Sequence, residues 1–228
     1  MKNLVCIIPV SSFESSKTRL SHFLSEDERT SLLKVMLADI VDVVRDLVVD
    51  IILVSHDDNV YDYALELGVS FVKEKDHEDN KLNNALLDAI SSVKENYMDH
   101  DILIIPSDIP LIKQEHIASV KQFESDMIIS PSKGGGTNLL CFNSDYDFIP
   151  LFGDMSYFRH IEEALTSGMS INLIESFYLS VDINNPEDLG ELLLHGVDTK
   201  SYDYLAGLNI RVSSNHSTER LNVERSVE

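Results

Sequence analysis

Two aspartates follow apolar runs: Asp108 in IIPSDIPLI, boxed between Pro106 and Pro110, and Asp182 in YLSVDINNPEDL, shortly before a helix capped by Asn185. A carboxylate stiffened at the carboxyl end of a strand suits Mg2+, which takes oxygen ligands and keeps its waters for substrate phosphates. Either aspartate alone reads equally well as the cap of a turn. Two on one sheet edge point to metal-assisted phosphoryl or nucleotidyl transfer. A third stretch, PVSSFESSKTRL over residues 9–20, offers the hydroxyls of Ser11, Ser12, Ser15 and Ser16 and the cations Lys17 and Arg19. It follows the first apolar run, where α/β sheets bind ligands beyond the carboxyl ends of their strands. Taken alone, it reads as a solvated loop whose basic residues pair with nearby acids.

A fourth stretch, PSKGGGTNLL, spends three of the chain's nine glycines on one bend. Glycines there let backbone approach an anion or adopt positive φ, with Thr137 offering its hydroxyl. A plain hairpin turn between DMIISPS and TNLLCF accounts for the same residues. Both readings stand at this point.

Composition narrows the choice. The 228 residues carry 18 Lys and Arg against 39 Asp and Glu, a formal net charge of −21. Such a surface repels nucleic acid and anionic lipid, so an anionic substrate must be held by a metal or by a few local cations. There is no GxxxxGK[ST] loop, no GxGxxG after the first strand, no GxSxG elbow and no HxH or HExxH spacing. That argues against a P-loop NTPase, a dinucleotide-binding fold, a serine hydrolase and a zinc site. Cys6 and Cys141 sit in apolar runs and read as buried reduced thiols of a cytoplasmic protein. MKNLVCIIPV has no cleavage site and reads as a first strand rather than a signal peptide. No apolar run reaches the length of a membrane span.

The elements that must position these residues follow from periodicity. Short β-branched runs predict strands over 4–10, 49–55, 69–73, 101–112 (running into a loop), 126–132 and 137–142. SINLIES and YLSVDI read as paired short strands. Three- and four-residue apolar spacing predicts helices over 25–47, 59–68, 80–97, 112–123, 156–168 and 185–196. Ser25 and Glu28 form a capping-box pattern at the start of the first. Alternation of this kind predicts an α/β fold: a three-layer α/β/α sandwich on a mainly parallel central sheet. A single domain spans 1–205, and 206–228 is a polar C-terminal tail, either flexible or an arm for a partner subunit.

PVSSFESSKTRL, KLNNAL, IIPSDIPLI, KGGGTNLL, FGDMSYFRH and SVDINNPEDL together resemble the 2-phospho-L-lactate guanylyltransferase family of coenzyme F420 biosynthesis, over about residues 4–194. GGGTN and the FGxxS-type stretch are the most specific of these. The resemblance implies the nucleotide-diphospho-sugar transferase type of fold and a cytoplasmic enzyme, with a homodimer expected. The implied reaction is GTP plus 2-phospho-L-lactate giving lactyl-diphospho-guanosine and pyrophosphate, with Mg2+. It implies catalytic roles for Lys17, Arg19 and Asp108, a nucleotide site from Pro9, Val10, Lys17, Arg19, Asn83 and Ser107, metal ligands Asp108 and Asp182, and an acceptor pocket from Gly136, Thr137, Asn138, Gly153 and Ser156. Two features depart from relatives: Asn184 stands where many carry a second acid, and the first loop lacks the glycines of sugar-nucleotide pyrophosphorylases. Other readings are a nucleotidyltransferase for phosphoenolpyruvate or a sugar phosphate, and a catalytically silent nucleotide-binding regulator. Guanine is often read by backbone groups, so side chains alone do not fix the base.

Overall fold

The run LVCIIP is buried at every position but its last, so it can only be a strand covered on both faces. It forms β1 (Leu4–Pro9), an interior strand of the sheet, in a computed structural model that describes residues 3–215 and 220–225. The other strands of that sheet are β2 (Asp50–Ser55), β3 (Ser70–Lys73), β4 (Asp101–Ile104), β5 (Met127–Pro131), β6 (Thr137–Phe142) and β7 (Ile171–Leu173), in the order β3-β2-β1-β4-β6-β5-β7. All pairings are parallel except those of β6, which runs antiparallel to both β4 and β5.

Strand alternation sorts side chains into two cores. Leu4, Cys6 and Ile8 pack with α1 (Glu26–Val44), α2 (Asp58–Leu67), α4 (Gln114–Val120), α7 (Pro186–His195) and α8 (Lys200–Gly207). Val5 and Ile7 pack on the other face with α3 (Lys81–Asn96) and α5 (Ser156–Thr166). The expected three-layer sandwich is therefore present. Ser25 and Glu28 form the anticipated capping box, and Asn185 with Asp188 forms another ahead of Pro186. Each such cap contributes about 1 kcal/mol. Among the described residues no helix is long and apolar enough to cross a membrane.

Two elements differ from the sequence expectation. Only Ile171–Leu173 of the first predicted strand pair joins the sheet; Phe177–Ser180 is a short helix, α6, and residues 181–184 run on without strand pairing. Leu179, Val181 and Ile183 are all buried, the alternation of a strand. Their backbone turns elsewhere, however: Ile183 N donates to the Asp108 carbonyl at 2.9 Å. Asp182 thus sits in a segment laid across the end of the β4 loop. The second difference is the C-terminal stretch, which polarity made a tail. Its described part forms a separate ribbon, β8 (Ile210–Asn215) with β9 (Arg220–Arg225). The ribbon lies on α7, where a Cβ at Gly190 would come within 2.9 Å of Leu221 and 3.0 Å of Val223. Arg225 Nη1 pairs with Glu28 Oε2 at 2.9 Å, and this contact draws the Glu28 carboxyl below its usual range.

Candidate functional site

One predicted cation, Lys17, and both predicted carboxylates, Asp108 and Asp182, meet beyond the carboxyl ends of β1 and β4. The loop after β1 turns back on itself: Ser16 Oγ and Thr30 Oγ1 both donate to the Phe13 carbonyl, and Arg29 Nε and Nη1 donate to the carbonyls of Ser16 and Leu24. Phe13 and Leu20 are buried and anchor the two ends of the turn. This fold-back leaves Lys17 in left-handed backbone, φ 51 and ψ 36. A non-glycine residue held there costs free energy and persists only where its surroundings fix it. They do so through the ammonium, which donates to Asp108 Oδ2 at 2.5 Å, to the Ile183 carbonyl at 2.5 Å and, at 3.4 Å, to Asn184 Oδ1. The Lys17 side chain is 8% exposed and that of Asp108 20%, so the pair is shielded and worth more than a surface ion pair.

Asp182 stands close to this pair. Burial raises its carboxyl above the usual range, and the negative charge of Asp108 raises it further. Asn184 Nδ2 donates to Asp182 Oδ2, and Asn138 supplies a further side-chain hydrogen bond. A carboxyl whose charge is opposed by burial and by a neighbouring aspartate is a place where a hard cation is welcome. Among the described residues no group of three or more His, Cys, Asp or Glu is arranged as a metal cage. The donors present fit a cation that draws its remaining ligands from water and phosphate oxygens, the habit of Mg2+.

Two cavities adjoin at Ser11, Ser107 and Asp108. The smaller, about 170 Å³, is lined also by Ser16, Lys17, Thr18, Arg19 and Asn184. The larger, about 400 Å³, has apolar walls from Pro9, Val10, Val54, Leu82 and Ala85 and carries His56, Glu74 and Lys81. The smaller has the character of an anion site, and the larger is wide and apolar enough for a planar ring.

The glycine bend is the tip of the β5–β6 hairpin. It is closed by Ser132 N donating to the Gly136 carbonyl and by Gly136 N donating to Ser132 Oγ, both at 2.9 Å. Gly135 has φ +80, and a Cβ on it would lie 2.8 Å from Met155 Sδ. The bend is therefore a turn whose missing side chains let the start of α5 close over it: Tyr157 N donates to the Gly135 carbonyl. That contact brings Ser156 Oγ to 3.1 Å from Thr137 Oγ1, and His160, one helical turn on, to 2.9 Å from the same atom through Nδ1. Thr137, Asn138, Ser156 and His160 are all buried. Asn138 links this cluster to Asp182 on one side and donates to the Leu179 carbonyl at 2.8 Å.

Of the residues singled out from sequence, Pro9, Val10, Lys17, Arg19, Ser107 and Asp108 line the joined cavities. Asn83 does not line them. Its amide is spent in a reciprocal pair with the Phe152 backbone, at 2.8 and 3.0 Å, which fixes the loop carrying Gly153. Contact with a nucleoside would have to break that pair. Sequence reasoning passed over Arg29, Glu74 and His160. For His160 a signal existed: it lies four residues after Ser156 and so shares its helix face. For Arg29 and Glu74 no local pattern gave one.

The guanylyl transferase CofC-like family model matches residues 4–226. The 2-phospho-L-lactate guanylyltransferase of Methanosphaera stadtmanae is 53% identical over all of both chains. That of Methanocaldococcus jannaschii is 44% identical, covering 93% of this chain and 92% of its own. Among solved structures, a nucleotidyl transferase from Methanothermobacter aligns over 91% of this chain and all of its own, with TM-score 0.60 and 17% identity, a likeness of fold.

Proposed function

The chain belongs to the guanylyl transferase CofC-like family, and on that premise we propose that it transfers GMP from GTP to 2-phospho-L-lactate, giving lactyl-diphospho-guanosine and pyrophosphate. The observation that carries the reading is the junction at Asp108, where a cavity lined by hydroxyls and by Lys17 and Arg19 meets an apolar-walled one. A nucleoside triphosphate has that same division. Its base and ribose would occupy the larger cavity and its phosphates the smaller, placing the α-phosphate near Asp108. Glu74, held by His56 Nδ1 at 2.7 Å, offers two acceptors that match the adjacent N1–H and 2-amino donors of guanine. Adenine presents no such pair.

The acceptor's phosphate oxygen is already a nucleophile, so no general base is required. Catalysis becomes placement and charge neutralisation. Lys17 has all three ammonium protons engaged; a phosphate oxygen entering the smaller cavity would replace its longest contact, Asn184 Oδ1. Arg19 lines the same cavity and would hold the leaving pyrophosphate. Mg2+, held by Asp108 and Asp182, would screen the two anions from each other in a strongly acidic protein. Thr137, Asn138 and Ser156, with Gly136 and Gly153 beside them, would receive the acceptor's phosphate. We place the enzyme in the cytoplasm as a homodimer; in support of the latter, the β8–β9 sheet has two strands among the described residues and offers edges to a second copy.

The test is pyrophosphate release from each of the four nucleoside triphosphates, with and without 2-phospho-L-lactate. Release from GTP only when the acceptor is present is the expected result; release without it, or none at all, overturns the reading. Glu74→Gln should narrow the preference for GTP over ATP by about tenfold, the scale of one good base contact.

A further inference from the structure

The hydrogen bonds that join Thr137, Ser156 and His160 in the buried cluster leave one hydroxyl proton unspent. Leu151 N donates to His160 Nε2 at 2.8 Å. A backbone N–H can only donate, so Nε2 carries a lone pair. Complete burial, together with the neighbouring Arg159 charge, pushes the His160 pKa down to about 4, and the ring is neutral at pH 7. Its one proton therefore sits on Nδ1 and points at Thr137 Oγ1, 2.9 Å away. Ser156 Oγ donates to the same oxygen at 3.1 Å. A hydroxyl oxygen has two acceptor sites and one proton. Both sites of Thr137 are filled, which leaves its proton to be donated outside the cluster. Should the Thr137–Ser156 bond run in the opposite sense, the unspent proton moves to Ser156. In either sense one hydroxyl proton is left to be donated outside the cluster.

We propose that His160 is a positioning residue for the acceptor substrate: held by Leu151 N–H in its Nδ1–H form, it donates to Thr137 and so sets the Thr137–Ser156 pair as a one-way donor to a phosphate oxyanion. The choice of oxyanion follows from three features. The cluster has a hydroxyl proton to donate and carries no charge. It stands at the start of the eleven-residue helix α5, where anions are favoured. Gly136 turns no side chain toward the Ser156 hydroxyl, which would lie 3.9 Å from a Cβ at that position. A neutral imidazole also explains why the site can be fully buried without a charge to compensate. The wiring stands without the guanylyl-transfer reading; only the acceptor's identity rests on it.

The wiring is read first, in the wild-type protein labelled with 15N-histidine at pH 7. His160 should show a protonated Nδ1 and an unprotonated Nε2, and the reverse pattern or an imidazolium overturns the proposal whatever the protein's activity. Kinetics follow. His160→Phe keeps a ring and removes both nitrogens; His160→Asn keeps an N–H near the position of Nδ1. The phenylalanine variant should raise KM for 2-phospho-L-lactate by tenfold or more with KM for GTP within about twofold, and the asparagine variant should recover most of that loss. An unchanged phospholactate KM in His160→Phe, an equal rise in both constants, or no recovery in His160→Asn reduces His160 to a packing residue. If His160→Phe fails to fold, the asparagine variant and the tautomer decide, a phospholactate KM near wild type in His160→Asn supporting the proposal and a tenfold rise overturning it. Absence of turnover in the wild type would sink the functional reading while leaving the tautomer measurement to judge the wiring, with titration of inorganic phosphate against the His160 ring resonances as its ligand probe: a shift supports it and none overturns it.

Discussion

The Lys17–Asp108–Asp182 cradle and the Thr137–Ser156–His160 cluster lie on either side of Asn138, yet on the proposed reading they would hold an anion in opposite ways. The first is made of loops and works with full charges that are only partly hidden. The second is made from a strand and a helix and contains no charge, its imidazole being neutral and sealed from solvent. Charged side chains on loops can exchange partners, as Lys17 must if phosphate is to reach it. Neutral donors locked in a sheet and helix cannot rearrange, and they select by shape and by the direction of their protons. One region suits a step in which charge moves, the other a substrate that must be held still.

Breaking the comparison on the charged side should have the largest effects. Asp108→Asn removes a proposed cation ligand and the partner of Lys17; turnover should fall to background while circular dichroism shows a folded chain. Turnover like wild type at saturating Mg2+ would remove Asp108 from the chemistry. Lys17→Ala comes next, costing about 2–4 kcal/mol of transition-state stabilisation, the scale of one preorganised charged donor, read as kcat/KM for GTP. On the neutral side Thr137→Val should cost about 1.5–3 kcal/mol, the value of a hydrogen bond to a charged group. The loss should appear in KM for 2-phospho-L-lactate.

The smallest effect concerns pH and sharpens the contrast. His160 has a folded pKa of about 4, below its ordinary value, because burial opposes its charge. The unfolded chain therefore binds a proton between about pH 6.5 and 4 that the folded chain does not, and stability must fall as pH drops through that window, by about 1.4 kcal/mol per pH unit from this residue at most. Thermal melts at pH 7 and pH 5 should show a smaller loss for His160→Asn than for wild type. Equal losses would mean that His160 is charged in the folded protein.

The two regions also differ in how far the sequence disclosed them. Strands such as LVCIIP and the capping box at Ser25 are local signals, and the sheet and its helices follow from them. Lys17, Asp108 and Asp182 were legible as residue types at plausible places. That Lys17 bridges to residues 91 and 166 positions away was not, since nothing local encodes such contacts. The 181–184 segment misled because a buried alternation is common to a strand and to an extended chain laid across the sheet's end. His160 was passed over because histidines were weighed only by metal spacing, and its meaning depends on a backbone N–H nine residues away.

The most direct test of this division is a crossed titration by calorimetry. Lys17→Ala and Thr137→Val would each be titrated with the α,β-methylene analogue of GTP, and then with 2-phospho-L-lactate in the presence of that analogue at saturation. The account predicts that Lys17→Ala weakens the nucleotide and spares the acceptor, while Thr137→Val spares the nucleotide and weakens the acceptor by about ten- to a hundredfold. Loss of both ligands in both variants, or acceptor affinity untouched in Thr137→Val, would contradict it.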